Sequence, residues 1–257
     1  MSLEDRMSLQ GRVALVTGAS GGLGQHFAML LAAAGATVVV AARRQDKLAA
    51  VVAEITEAGG RAVAVSVDVT DTASIEAAFV AAEREAGVVT VLVNNAGITE
   101  RGSALELGED QWRRVIDTNL TGTWAIATEA ARRMVAAGVG GSIVNIASIL
   151  GFSVLKGLLP YAVSKAGVVQ MTKAMALEWA RYDIRVNALA PGYIETDINR
   201  DFLRSDVGQE LVKRIPQRRT GNKEDLDGPM MLLASEASAF MTGTVITVDG
   251  GHLASGL

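Results

Sequence analysis

A repeated alternation of short β-branched apolar segments with longer alanine-rich segments limits this 257-residue chain to a small set of folds. The short segments, such as "VALVT" (13–17) and "TVVVAA" (37–42), are apolar at successive positions. This pattern is typical of strands that are buried on both faces of a parallel sheet. Repeated β–α units predict an α/β fold with a doubly wound parallel sheet, Rossmann-type, with helices on both faces.

About seven strands are predicted, over residues 13–17, 37–42, 62–68, 90–97, 142–148, 184–191 and 244–251. One long helix is predicted between the fourth and fifth strands, from about Glu109 to Ala137. No linker or low-complexity segment divides the sequence, so we expect one domain over residues 1–257. Residues 1–10 are predicted to be a flexible N-terminal extension.

Composition and charge exclude several functional classes. The net charge is -4 and the basic residues are scattered, which argues against nucleic acid and anionic membranes as partners. The absence of cysteine excludes disulfides and thiolate chemistry, and the two histidines do not suggest a metal site. The uncharged run from Val13 to Ala42 is interrupted by glycines and does not predict a membrane span. We therefore expect a cytoplasmic protein.

The segment "TGASGGLG" (17–24) lies between the first strand and the first helix. Its glycines Gly18, Gly22 and Gly24 allow a ligand to approach the backbone closely. The N-terminus of the following helix offers free N–H groups to a pyrophosphate. In this context the segment predicts a dinucleotide-binding loop, with a tight turn that binds nothing as the alternative.

The end of the second strand bears on which dinucleotide is bound. Ala41 and Ala42 stand where a carboxylate would hold the ribose of NAD, and Arg43 and Arg44 follow them. Arginine at this place suits the 2′-phosphate of NADP. We therefore favour NADP(H), with NAD(H) as the alternative, and a solvated helix start as the non-functional interpretation of the two arginines.

The segment "YAVSK" places Tyr161 and Lys165 four residues apart, on one face of a predicted helix. A neighbouring ammonium favours the phenolate and so lowers the phenol pKa from about 10 towards the operating pH. Ser148 ends the preceding strand and can hold a substrate oxygen, or it caps a turn. Asn119 lies within the long helix, where it forms either a local backbone hydrogen bond or part of a site.

In order and spacing, these motifs resemble those of the short-chain dehydrogenase/reductase family from about Gly11 to Gly251. The matching segments are "TGASGGLG", "DV" (68–69), "NNAG" (94–97), the asparagine of "DTNLTG", Ser148 in "IAS", "YAVSK" and "PGYIET" (191–196). The resemblance implies a catalytic group of Asn119, Ser148, Tyr161 and Lys165. Asn119 would bend its helix and hold a water in a proton relay through Lys165.

The resemblance also implies the residues around the cofactor and the substrate. The implied cofactor-binding residues are Gly18, Ser20, Gly22, Leu23, Gly24, Arg43, Arg44, Asp68, Val69, Asn95, Gly97, Tyr161, Lys165, Pro191, Ile194 and Thr196. The implied substrate pocket contains Ser148, Leu150, Leu155, Tyr161 and Tyr193, with further residues from the segment 197–215. One departure is Gly21, where many NADP-preferring members of the family carry a basic residue.

The resemblance implies an NAD(P)-dependent oxidoreductase that transfers a hydride reversibly between the nicotinamide and a carbonyl or secondary alcohol. The apolar character of the implied pocket favours medium-sized ketones or acyl chains, and the segments "PGYIETD" and "IPQRRTG" resemble those of 3-oxoacyl-thioester reductases, so the expected substrate is a 3-oxoacyl thioester or an apolar ketone. The alternatives are a sugar or sugar-acid dehydrogenase, an epimerase or dehydratase that uses the same tyrosine, and a nucleotide-sensing scaffold. Family members usually pair the apolar helix that begins near Tyr161 and the apolar C-terminus into tetramers, so the resemblance implies a homotetramer, with a dimer as the second choice.

Overall fold

The computed structural model describes residues 2–195, 200, 203 and 205–255. Its strands are β1 (Val13–Thr17), β2 (Thr37–Ala42), β3 (Arg61–Ser66), β4 (Val91–Asn94), β5 (Gly141–Ile146), β6 (Ile184–Pro191) and β7 (Val245–Val248). They form one parallel sheet in the order β3-β2-β1-β4-β5-β6-β7. The strand order changes direction between β1 and β4, which confirms the predicted doubly wound fold.

Helices cover both faces of the sheet. In the described residues they are α1 (Leu3–Met7), α2 (Gly22–Ala33), α3 (Gln45–Glu57), α4 (Thr72–Ala86), α5 (Glu109–Ile116), α6 (Gly122–Ala136), α7 (Leu159–Trp179), α8 (Asp206–Arg214) and α9 (Asp227–Ala234). Phe27 of α2 and Met230 of α9 are buried on one face, and Phe79 of α4 and Met134 of α6 are buried on the other. None of these described helices has the length and apolarity needed to cross a bilayer.

The predicted bounds of β1, β2 and β6 are confirmed, whereas the other strands end two or three residues before the predicted position. The apolar character continues past these strands, at Val67 and Ala147 for example, and both residues are buried. Their N–H groups still donate to the carbonyl oxygens of Ala42 and Leu189 in the neighbouring strands, but the regular strand pairing ends one residue earlier. These early ends allow the residues after each strand to turn towards a common edge of the sheet.

The prediction of one helix from Glu109 to Ala137 is wrong at its centre. Residues Asp117–Thr121 form a π-helical segment between α5 and α6. The fully buried Asn119 lies in this segment, and its side chain bonds the backbone of Ile98 in the loop after β4. The distant loop therefore holds the extra residue that widens the helix here, and π-helical insertions of this kind often occur at functional sites.

The N-terminus is more closely packed than the predicted flexible extension. Ser2 and Asp5 form a capping box for the short helix α1. Arg6 donates a hydrogen bond to the carbonyl oxygen of Glu236, 3.1 Å away, and Leu9 is fully buried in the core. The packed part of the chain therefore begins before β1.

Candidate active site

The candidate site lies where the parallel strands end, because all of their carboxyl ends reach the same edge of the sheet. The order changes direction between β1 and β4, and open α/β sheets bind ligands in the crevice at such a point. Each implied cofactor-binding segment that the structure describes follows one of these strands. The first and fourth strands contribute the two sides of the crevice.

The glycine-rich loop leads directly from β1 into α2. Gly18 and Gly22 have positive φ angles of 67° and 60°, which favour glycine. A Cβ atom at Gly24 would lie 2.3 Å from the carbonyl oxygen of Gly18, so only glycine fits there. A Cβ at Gly21 or Gly22 would meet no atom within 4 Å, so the loop is open on the side where a pyrophosphate would lie. The loop and the helix N-terminus thus fit a dinucleotide.

Asn95 ties the loop after β4 to the glycine-rich loop. Its backbone N–H donates to Thr17 Oγ1 and its side-chain amide donates to the carbonyl oxygen of Thr17, both at 3.0 Å. The N–H of Ala96 donates to the same hydroxyl, also at 3.0 Å. Sequence reasoning did not select Thr17, although its position just before Gly18 was a usable signal. These bonds fix the distance between the loop after β4 and the glycine-rich loop, which form the two sides of the crevice.

The two arginines after β2 differ in their contacts. Arg44 Nη2 donates to the Ser20 hydroxyl at 3.0 Å, which links the end of β2 to the glycine-rich loop. Arg43 is exposed and lies close enough to Asp68 for its charge to lower the pKa of that carboxyl. Hydrogen bonds from the backbone and hydroxyl of Thr70 lower the same pKa more strongly.

The remaining implied cofactor residues also lie at this edge. Val69 packs against α6 so closely that a Cβ at Gly122 would lie 2.8 Å from the Val69 carbonyl oxygen. Leu23 is half-buried in the first turn of α2, and Pro191 is buried at the end of β6. Ile194 is buried and forms an isolated bridge with Gly221. Thr196 and part of the segment 197–215 lie outside the described residues.

The proposed acid–base pair lies in the first two turns of α7, which has Pro160 near its start. Lys165 is buried, its Nζ donates to the carbonyl oxygen of Ile146 at 2.7 Å, and it lies 5.6 Å from the centroid of the Tyr161 ring. The i, i+4 spacing therefore brings the ammonium beside the phenol, as the sequence predicted. Burial lowers the pKa of Lys165 to about 8.

Ser148 has two roles in this geometry. It caps the short 3₁₀ turn that follows β5, because its hydroxyl accepts the N–H of Leu150 at 3.1 Å. The same side chain lies close enough to the phenol of Tyr161 to lower its pKa. Ser148 lies beyond the end of β5 rather than within it, and this turn directs the hydroxyl towards α7.

The electrostatics of Tyr161 differ from the expectation that Lys165 lowers its pKa. Burial raises the pKa of Tyr161 above its ordinary value, and the phenol of Tyr193 raises it further. The side chain of Ser148 acts in the opposite direction, less strongly than burial but more strongly than Tyr193. The sequence predicted the neighbouring cation, whereas the desolvation of the phenol is visible only in the fold.

Asn119 is part of a long-range rather than a local hydrogen-bond system. Its Oδ1 accepts the N–H of Ile98 and its Nδ2 donates to the carbonyl oxygen of the same residue, both at 2.8 Å. A Cβ at Gly97 would lie 3.3 Å from Asn119 Oδ1 and 3.8 Å from Lys165 Nζ. The glycine therefore leaves room between these two groups at the floor of the crevice.

The implied substrate residues form one wall beside the phenol. Tyr161 and Tyr193 pack against a buried cluster that contains Leu150. Leu150 and Leu155 also line a cavity of about 930 Å³, whose lining is mostly apolar and includes Arg101 and Lys156.

Sequence reasoning missed the contribution of His252 to this wall. Its ring is buried and lies 5.7 Å from that of Tyr193. A lone histidine near the chain end gave no signal for this contact. No group of three or more His, Asp or Glu residues that could hold a metal ion occurs in the part of the chain that the structure describes.

Comparison with known proteins identifies relatives over nearly the whole chain. A family model described as enoyl-(acyl carrier protein) reductase matches residues 18–252. The 2-dehydro-3-deoxy-D-gluconate 5-dehydrogenase of Dickeya dadantii is 40% identical over 249 residues, which are 96% of this chain and 97% of the relative. The 3-oxoacyl-(acyl-carrier-protein) reductase of Vibrio harveyi is 38% identical over 245 residues, or 95% and 98% of the two chains.

A solved structure agrees with these matches. The gluconate 5-dehydrogenase of Burkholderia cenocepacia J2315, in complex with NADP and tartrate, is 37% identical and superimposes with a TM-score of 0.94. The match covers 98% of this chain and 99% of that one. With the glycine-rich loop and the Ser148, Tyr161 and Lys165 group on one edge of the sheet, these matches mean that the chain belongs to the short-chain dehydrogenase/reductase family and is an NAD(P)-dependent oxidoreductase.

Proposed function

We propose that this enzyme transfers a hydride reversibly between NADP(H) and a carbonyl or secondary-alcohol substrate, with Tyr161 as the general acid and base. The observation that carries the proposal is the buried ammonium of Lys165 beside the phenol of Tyr161, with Ser148 close enough to that phenol to affect its pKa. These groups lie at the carboxyl edge of the sheet, where a family member binds its dinucleotide.

The nicotinamide supplies the hydride that joins the carbonyl carbon in reduction. Tyr161 donates the proton that joins the carbonyl oxygen, and in oxidation it removes the proton from the alcohol. Ser148 holds this oxygen by a hydrogen bond. Lys165 would hold the nicotinamide ribose, and Asn119 would hold a water that relays protons through Lys165.

The raised pKa of Tyr161 gives the two directions different pH requirements. A raised pKa keeps the phenol protonated at neutral pH, which suits a proton donor. Carbonyl reduction should therefore proceed at neutral pH, whereas alcohol oxidation should become faster as the pH rises towards the phenol pKa.

NADP is proposed as the preferred cofactor because Arg43 and Arg44 follow β2 and no carboxylate stands at Ala41 or Ala42. The exposed guanidinium of Arg43 is free to turn towards a 2′-phosphate, which it can bind with paired charge-assisted bonds. The relative from B. cenocepacia, whose structure contains NADP, supports the same choice.

A 3-oxoacyl thioester or an apolar ketone is the proposed substrate class. The cavity that Leu150 and Leu155 line supports this choice, because its apolar side chains suit an acyl chain, although its lining includes none of Ser148, Tyr161 and Tyr193. Arg101 and Lys156 provide positive charge for the anionic part of such a thioester. The relative from V. harveyi is named for this substrate class.

A sugar-acid dehydrogenase is the second candidate. The relatives from D. dadantii and B. cenocepacia are named for gluconate-type substrates, and their identity to this chain is similar. A steady-state screen of 3-oxoacyl thioesters, aryl ketones, diketones and sugar acids with both cofactors separates the two candidates. The class with the highest kcat/KM identifies the substrate, and a sugar acid in that position would overturn the first choice.

The acid–base role is tested by Tyr161→Phe, which keeps the ring but removes the transferable proton. We expect turnover to fall by at least about 10²-fold, the scale on which a general acid contributes, with little change in cofactor affinity. Tyr182→Phe is the matched control, because Tyr182 is a partly exposed tyrosine beyond the end of α7. Near-normal turnover by Tyr161→Phe would refute the mechanism.

A further inference from the structure

Ser164 lies between the two members of the proposed acid–base pair, and its side chain is fully buried. Its hydroxyl donates to the carbonyl oxygen of Tyr161 at 2.7 Å. It also accepts a hydrogen bond from Asn119 Nδ2 at 3.2 Å. One hydroxyl therefore joins the start of α7 to the π-helical segment between α5 and α6.

The bond to Ser164 completes the hydrogen bonding of the Asn119 side-chain amide. The amide Nδ2 carries two hydrogens. One is donated to the carbonyl oxygen of Ile98 and the other to Ser164. Because Oδ1 accepts the N–H of Ile98, the orientation of the amide is fixed by three bonds. Without the hydroxyl, one buried hydrogen of the amide would lose its acceptor.

The other bond of Ser164 acts on the backbone between the reacting groups. In an α-helix the carbonyl of residue i accepts the N–H of residue i+4, which here pairs Tyr161 with Lys165. The Ser164 hydroxyl adds a second hydrogen bond to this carbonyl. Asn119 Oδ1 and Lys165 Nζ both face Gly97, as the short distances to a Cβ at Gly97 indicate.

We infer that Ser164 is a positioning residue that fixes the position of the Asn119 side chain relative to the Tyr161–Lys165 pair. The inference rests on the proposed function, because it assigns to Ser164 an effect on the turnover of that site. Ser164 acts through its two hydrogen bonds, and reaches the reacting atoms only through Asn119 and Tyr161.

The chain contains a matched control in the same helix. Thr172 is also fully buried, its hydroxyl donates to the carbonyl oxygen of Val168 at 2.8 Å, and it accepts from Asn145 Nδ2 at 3.0 Å. The pattern is similar to that of Ser164, except that the accepting carbonyl lies four residues earlier instead of three, and it lies about two turns further along α7. A purely structural role for such a hydroxyl should therefore have similar effects at both positions.

The experiment compares Ser164→Ala with Thr172→Val, each of which removes one hydroxyl and keeps the shape of the side chain. Both should lower the Tm, by roughly 2–8 °C for a buried hydrogen-bonded group in a chain of this size. Ser164→Ala alone should lower kcat by about tenfold, the cost of misplacing a group next to the chemistry, while KM changes less than about twofold.

Equal kcat values for the parent and Ser164→Ala would overturn the inference, and so would an equal loss of kcat in Thr172→Val. Neither result would contradict the proposed function, which Tyr161→Phe tests separately.

Discussion

At the scale of single residues, burial makes the charge of Lys165 costly. Its pKa is lowered to about 8 in the folded chain, from an ordinary value of 10.5. Between these two pH values the unfolded chain binds more protons, so the free energy of unfolding rises with pH in this window. Below pH 8 both states are charged, and the full cost of the buried ammonium is present.

Lys165→Met should remove this pH dependence. From pH 7 to pH 10 we expect the free energy of unfolding of the parent to rise by about 2–3 kcal/mol relative to the variant, from the size of the pKa shift. Chemical denaturation of both proteins without cofactor measures the difference, and the other titrating groups cancel in the comparison. Parallel pH curves would show that Lys165 is not desolvated as described.

Arg43 is the residue on which the cofactor preference depends. Its loss in Arg43→Ala should weaken NADPH binding by roughly ten- to a hundredfold, the range for one charge-assisted contact, and should leave NADH binding almost as before. Ala42→Asp should act in the opposite direction, because a carboxylate repels the 2′-phosphate and offers the NADH ribose a partner.

The measurement is kcat/KM with both cofactors for the parent and the two variants. Arg61→Ala is a suitable control, because this exposed arginine lies at the amino end of β3, whereas the cofactor crevice lies at the carboxyl ends of the strands. A parent that already prefers NADH would make Arg43 a solvated charge at the start of α3. In that case the absence of a basic residue at Gly21 was the better indicator of the cofactor.

At the scale of elements, the glycine-rich loop has one closely packed glycine, Gly24, and one, Gly21, with no atom near its Cβ position. Gly24→Ala would place a Cβ 2.3 Å from the Gly18 carbonyl oxygen and 2.6 Å from Asn95 Nδ2, so α2 must move away from the loop. We expect a loss of about 1–3 kcal/mol in stability, as for other overpacked positions, together with weaker NADPH binding.

Gly21→Ala is the matched control, because its Cβ meets no atom within 4 Å and its backbone is extended. Thermal unfolding should show little change for Gly21→Ala and a clear loss for Gly24→Ala, and an NADPH fluorescence titration of Gly24→Ala should show weaker binding. Similar behaviour of the two variants would mean that the loop adapts freely, contrary to the packing at Gly24.

The same elements show which parts of the structure the sequence can predict. Runs such as "VALVT" end at a glycine, and their strand bounds followed from local sequence alone. The ends of the other strands did not, because residues such as Val67 stay buried after the regular strand pairing has ended. The π-helical segment depends on the bonds of Asn119 to Ile98, and no local pattern encodes a partner 21 residues away.

In the candidate site, too, local features were predictable from the sequence, whereas contacts between distant elements were not. The spacing of Tyr161 and Lys165 is local, so their proximity was predictable, and the parallel sheet explains why the loops after β1, β2 and β4 meet. The raised pKa of Tyr161 required knowledge of its burial. Ser164 and Thr17 were missed because their hydroxyls bond partners from other elements, which makes them look like ordinary spacers in the sequence.

At the scale of the whole molecule, exposed apolar side chains support the predicted homotetramer. Leu177 on α7 is 84% exposed and Trp124 on α6 is 51% exposed. Phe240 is fully exposed shortly before β7, the strand at one edge of the sheet. Large apolar side chains on neighbouring helices and at a sheet edge are typical of surfaces that a second copy covers.

The α6 and α7 surface with Trp124 and Leu177 and the sheet edge near Phe240 are two separate apolar surfaces on one chain. Two such surfaces favour a tetramer with two-fold symmetry over a dimer. Light scattering at micromolar concentration should give the mass of a tetramer for the parent. Leu177→Glu should reduce the assembly to dimers, because the glutamates of two copies would repel each other where their α7 helices meet. Val80→Glu is the control: Val80 is a 56% exposed apolar residue on α4, and its replacement should leave the tetramer intact. A monomeric parent would refute the prediction, and a Leu177→Glu variant that remains tetrameric would exclude α7 from the interface.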